Sequence, residues 1–222
     1  MVKSGTVIIV IAAVLAASAL GYWAYGASKK RELGNAISAL ARDANQRLRD
    51  ALSAEAAPPS EQTVNELDLH AAAVDGGLRQ LKGMDASFNL AMADAADSYL
   101  VSVREILRRQ AASHRGRLLL AASLPALRQH MRADNRTGSW VEEAVKAKER
   151  VEKDFRDYKV AAEQLGKLLG TFPRDQARIA PHVPDLPPVE ERLVGDARER
   201  ALRVYQQLAD EVGKTKQLEA YR

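Results

Sequence analysis

Residues Thr6 to Ala27 read TVIIVIAAVLAASALGYWAYGA, an apolar run of 22 residues without a charge, bounded by Lys3 before it and Lys29-Lys30-Arg31 after it. A hydrocarbon core about 30 Å thick needs roughly 20 apolar residues at about 1.5 Å rise each. The run therefore predicts a membrane-spanning helix, and the bilayer is the first expected partner. It closes with Tyr22, Trp23 and Tyr25, amphipathic rings suited to a headgroup boundary, and then Lys29, Lys30 and Arg31. These six residues are the expected membrane-interface anchors.

A cleaved signal peptide is the rival reading, because Ala17-Ser18-Ala19 has the small-residue pattern of a cleavage site. The run continues past Ala19 through three aromatics to a basic stop, which favours a retained span. Orientation has two opposed indicators. Counting Lys and Arg near the span puts the downstream domain in the cytoplasm; the short charged N-terminal tail and the aromatics confined to the C-terminal boundary favour a domain outside it. The second reading is preferred. With alanine- and arginine-rich usage pointing to a bacterium, the expected location is the inner membrane, single-pass, with a periplasmic domain.

Working outward, the chain divides into an anchor at 1–28 and a soluble domain at 29–222, a length suited to one core. Aromatics make up only 5% of the chain, so alanine and leucine must fill the periodic positions, as in closely packed helices. The absence of cysteine excludes disulfides, thiolate metal sites and cysteine catalysis. A net charge of +4 is small for this length and selects no partner.

The apolar residues of the domain recur in steps of three and four, the helical period. Leu33, Ile37, Leu40, Ala44, Leu48 and Ala51 form the first stripe, and no proline separates it from the span. The membrane helix is thus expected to run on as a stalk to about Ala54, weakest at Gly26 and Gly34. Ala57-Pro58-Pro59-Ser60 breaks it, and Ser60 caps a second stripe of Val64, Leu67, Ala71, Val74, Leu78 and Leu81. Lys82-Gly83 reads as a turn and Asp85 as the next cap. The third stripe is Phe88, Met92, Ala95, Tyr99, Val103 and Ile106, with the helix reaching Leu120 and a break recapped by Ser123 before Pro125; a kinked continuous helix is the alternative.

Asp134 to Gly138 reads as a loop, and Ser139-Trp140-Val141-Glu142 as a capping box. The next stripe is Val141, Val145, Val151, Phe155, Tyr158, Ala162, Leu165 and Leu169, with Glu142/Lys146, Glu149/Lys153 and Glu152/Arg156 as i, i+4 pairs on the solvated faces. Gly170 and Pro173 are expected to stop it, and a proline-rich connector over 173–188 to lead to a last helix opened by Pro187 or Pro188. Its stripe is Val189, Leu193, Ala197, Ala201, Val204, Leu208 and Val212. The predicted fold is all-α: one N-terminal transmembrane helix, then an antiparallel bundle of four to five long amphipathic helices, since short loops force neighbours to alternate direction. The heptad-like seams also suit a coiled coil and self-association.

Arg104, Arg108, Arg109, Arg115, Arg117, Arg128, Arg132 and Arg136 face only Glu105 and Asp134 in their segment, the one local charge asymmetry. It is a candidate patch for an anionic partner, weighed against an ordinary solvated face. Nucleic acid is disfavoured, since no aromatics interleave with these arginines. His70 one turn after Glu66 has a ligand spacing but no further partners, so no metal is expected. Asp94 and Asp97 read as surface carboxylates, and Met84, Met92 and Met131 as core fillers rather than haem ligands. No nucleophile elbow or phosphate loop appears, so neither an enzyme nor a cofactor is expected.

The leading expectation is a membrane-anchored, non-enzymatic interaction protein, a scaffold or accessory subunit with protein partners in the membrane or envelope. The alternatives are a sensory or small-ligand-binding bundle, and a cytoplasm-facing adaptor for anionic partners.

Overall fold

In the computed structural model, the description covers the backbone of residues 4–54, 58–132 and 138–217 and the side chains of 21–54, 58–131 and 139–215. Five α-helices occur in it and, among the described residues, no strand: α1 (Ser4–Ala54), α2 (Glu61–Lys82), α3 (Leu90–Arg132), α4 (Gly138–Ile179) and α5 (Glu191–Gln217), with a 3₁₀ turn at Ala86–Phe88. The all-α bundle is as the periodicity predicts. Among the described residues no helix is long and apolar enough to cross a membrane. The run Thr6–Ala27 falls mainly on residues 6–20, whose side chains lie outside that description.

Contacts between helices fix their directions. Gly34 approaches Met92, the Asn45 side chain meets Tyr99, and the Ala51 carbonyl meets Gln110, so α1 and α3 run parallel. Asp75 pairs with Arg104 and Asp68 with Arg115, so α2 runs opposite to α3. Ser102 meets Asp175 while Gly116 lies on Tyr158, so α4 is also antiparallel to α3. Gly170 lies near Arg198 and Phe155 stacks on Tyr205, so α5 runs opposite to α4 and returns to the direction of α1 and α3. The helices therefore alternate up and down in chain order, as short connections require.

The stripes predict the buried faces closely. Every residue of the α2 stripe is buried, and of the α1 stripe only Leu40 is not fully so. Ser60 caps α2 by accepting from the Thr63 amide at 3.0 Å, and Asp85 caps the 3₁₀ turn by accepting from the Ser87 amide at 3.0 Å. The start of α4 falls one residue before Ser139. The predicted loop Asp134 to Gly138 lies almost wholly outside the described residues, as do Ala57 and the last five residues.

Three boundaries differ from expectation. The break expected between Leu120 and Pro125 is absent: α3 continues through Pro125 to Arg132. Leu120, Leu124 and Leu127 on one face are all buried in a second apolar cluster, and this burial offsets the roughly 3 kcal/mol that an interior proline costs. Likewise α4 is not stopped by Gly170 and Pro173 but runs to Ile179, held by buried Leu169, Phe172 and Ile179. The connector thus shrinks from 173–188 to the residues between Ile179 and Glu191. Neither Pro187 nor Pro188 opens α5, because their carbonyls are taken by α1: Asn45 Nδ2 donates to Pro187 O at 2.7 Å and Arg49 donates to Pro188 O.

The core has two parts. A first cluster joins α1, α2, α3, the end of α4 and the start of α5 around Ile37, Leu48, Tyr99, Ile106 and Phe172. A distal cluster joins only α3, α4 and α5 around Leu120, Leu127, Val151, Tyr158 and Val212. α1 ends at Ala54 and α2 still reaches Arg115 through Asp68, so the arm in which only α3, α4 and α5 pack together begins past that level and runs to Arg132.

Candidate functional site

At the end where the apolar run meets the bundle, Tyr22, Trp23 and Tyr25 project from α1, exposed by 82%, 72% and 57%, far more than buried core rings allow. A Cβ on Gly21 or Gly26 would meet nothing within 4 Å, so those faces of α1 are open. Lys30 and Arg31 are exposed, and Lys29 pairs with Glu32 at 2.7 Å, which raises the Lys29 ammonium above its ordinary value. The six predicted interface anchors thus lie together on one exposed length of helix. Tyr25 is the first to touch the domain, its ring edge-on to Phe88 with centroids 6.2 Å apart.

The arginine segment is distributed rather than gathered. Arg104 pairs with Asp75 at 3.1 Å and Glu105 at 2.9 Å, Arg108 pairs with the same two carboxylates, and Arg109 reaches Glu105 at 4.0 Å. Arg115 holds Asp68 at 2.8 Å and Arg128 holds Glu211 at 3.1 Å. Arg117 places a guanidinium nitrogen in the interior, whereas the side chains of Arg132 and Arg136 lie outside the described residues. Asp68 and Asp75 come from α2 and Glu211 from α5, carboxylates that local sequence around the arginines does not show. They turn much of the segment into ties between helices.

Other singled-out residues stay apart. His70 lies 3.3 Å from the Arg47 guanidinium, His114 is fully buried on α3, and His182 is in the connector. Among the described residues no three metal-type ligands cluster. Met92 is buried and Met84 and Met131 pack against the two cores. Asp94 is exposed and Asp97 half-buried. Glu142 pairs with Lys146 at 2.7 Å as predicted, but Glu152 is met by Lys148 at 3.8 Å.

Two polar features escape a periodic reading. Asn45, buried beside the α1 stripe, accepts from Tyr99 and donates to the connector. Between the two apolar clusters, α3 buries Gln110, Ser113 and His114 in succession. Gln110 donates to Ala51 O at 2.8 Å, satisfying one of the last carbonyls of α1, which have no intrahelical donor. The only advance signal for Asn45 is its place beside Ala44 in an otherwise apolar register.

Clefts mark the surface of the described residues. One of about 410 Å³ lies between α1 and α2 along Ala36, Leu40, Ala73 and Gly77. One of about 290 Å³ lies where Phe172 and Gln176 face the connector, and one of about 330 Å³ at the base is lined by Lys29, Leu33, Met84 and Phe88. No known protein family, curated protein or solved structure matches the chain.

Proposed function

We propose that this chain is a membrane-anchored, non-enzymatic interaction protein, in which the run Thr6–Ala27 crosses the bacterial inner membrane and the bundle serves in the periplasm as a scaffold or accessory subunit. The observation that carries this reading is the continuity of α1, which is one 51-residue helix from Ser4 to Ala54. The apolar run and the buried stripe from Leu33 to Leu52 therefore belong to a single rod of roughly 77 Å. A rod shared by anchor and core transmits position from membrane to bundle, as an assembly subunit requires and a tethered enzyme does not.

The distal arm supplies the surface for a protein partner. Two members of the predicted α4 stripe, Val141 and Val145, are exposed by 49% and 38%, although Ala144 between them is buried. Apolar residues in helical register on an outer face suit a partner helix. A photocrosslinking residue placed at Val141 or Val145 in cells should give a discrete protein adduct, and one at exposed Arg192 should not. Equal labelling from all three positions, or none from the valines, contradicts the reading.

A further inference from the structure

We infer that the turn between α2 and α3 is a second membrane contact, so that the bundle sits down on the headgroup layer of the bilayer that α1 crosses instead of standing off on a stalk. The inference rests on the proposal that Thr6–Ala27 spans the membrane. Its level is set by one ring contact. Tyr25 lies two residues from the end of the apolar run, and its edge-on packing with Phe88 brings the Ala86–Phe88 turn abreast of that end.

The chemistry of the turn suits that level. Leu90, two residues past the turn, is 62% exposed, while Phe88 and Met84, which share a cleft at this end, are half-buried. Lys29 lines the same cleft as Phe88 and Met84, and Lys30, Arg31 and Lys82 are exposed in the adjoining sequence. Amphipathic rings and aliphatics flanked by cations are the pattern of an interfacial contact, the apolar atoms entering the acyl boundary and the cations meeting lipid phosphates. Water is a poorer occupant of this surface, because Leu90 there gains nothing from its exposure. Glu32 and Asp85 temper the charge, but Glu32 is already neutralised by Lys29 and Asp85 is occupied as the cap of Ser87.

The test uses the full chain in vesicles of phosphatidylcholine and phosphatidylglycerol whose acyl chains carry bromine near the carbonyl. The two natural tryptophans allow single-tryptophan variants: Trp140→Phe alone keeps Trp23, and Trp23→Phe with Trp140→Phe serves as background for Leu90→Trp, Ser87→Trp or Leu202→Trp. Leu90, Ser87 and Leu202 are exposed, so each replacement leaves the core intact. The Leu90→Trp and Ser87→Trp probes should be quenched to roughly half or more of the extent seen for Trp23, with Leu202→Trp unquenched. Quenching of Trp23 without quenching at Leu90→Trp and Ser87→Trp overturns the second contact and leaves the anchor standing. Loss of quenching at Trp23 as well overturns both.

Discussion

The Tyr99 hydroxyl donates to the Asn45 side-chain oxygen at 3.1 Å, and the Asn45 amide in turn donates to Pro187 O at 2.7 Å. One buried amide thus ties α1 to α3 and to the connector. Asn45→Ala removes both bonds and leaves two polar groups without partners, and should cost about 2–3 kcal/mol. Tyr99→Phe removes one donor and should cost about 1 kcal/mol. Thermal or urea unfolding of the solubilised chain ranks the two; equal effects would contradict the relay.

The same hydroxyl predicts a pH dependence. Burial pushes the Tyr99 hydroxyl well above its ordinary value. The folded state therefore holds this proton more tightly than the unfolded chain, whose tyrosines titrate near about pH 10. Its contribution is complete below that pH and is lost as pH climbs beyond it. The melting temperature should fall in alkali, and fall less steeply in Tyr99→Phe. Identical alkaline slopes would exclude this role.

Gly116 and Gly166 should respond oppositely to alanine. A Cβ on Gly116 would lie 2.8 Å from Tyr158 Cβ and 3.0 Å from its Cα, where backbone has to yield. Gly116→Ala should destabilise by about 1–3 kcal/mol through overpacking. Gly166 has open space around it inside α4, so Gly166→Ala should stabilise by up to about 1 kcal/mol through helix propensity. Denaturant midpoints of the two variants supply the comparison.

Asp75 binds two arginines of α3 from α2. Because Arg108 and Asp75 remain partly exposed, Asp75→Ala should cost only about 0.5–1 kcal/mol, with the loss shrinking at high salt. A salt-independent loss would show that Asp75 acts through packing rather than charge.

Periodicity made the buried faces of α1, α2 and the first part of α3 legible, because most of each stripe lies in one continuous core. Helix ends near proline were not. A local rule assigns Pro125 and Pro173 a break, whereas the burial of Leu124, Leu127 and Phe172 decides for continuity, and those partners are distant in sequence. The charge balance around the arginine segment was not legible for the same reason, since Asp68, Asp75 and Glu211 arrive only on folding. Val141 and Val145 show the converse: larger apolar residues suggest the buried register, but the small Ala144 and Ala147 take it at this end of α4.

The claim that α1 joins a spanning segment to a bundle outside the cytoplasm is tested most directly by cysteine labelling, for which the cysteine-free chain is a ready background. Val10→Cys, Val14→Cys, Arg31→Cys and Asp210→Cys would be treated, in native membranes of spheroplasts, with a membrane-impermeant maleimide. Arg31→Cys and Asp210→Cys should be labelled, with Val10→Cys and Val14→Cys shielded until the membrane is dissolved. Labelling of Val10→Cys and Val14→Cys in the intact membrane would contradict the span, and protection of Asp210→Cys until lysis would place the bundle on the cytoplasmic side.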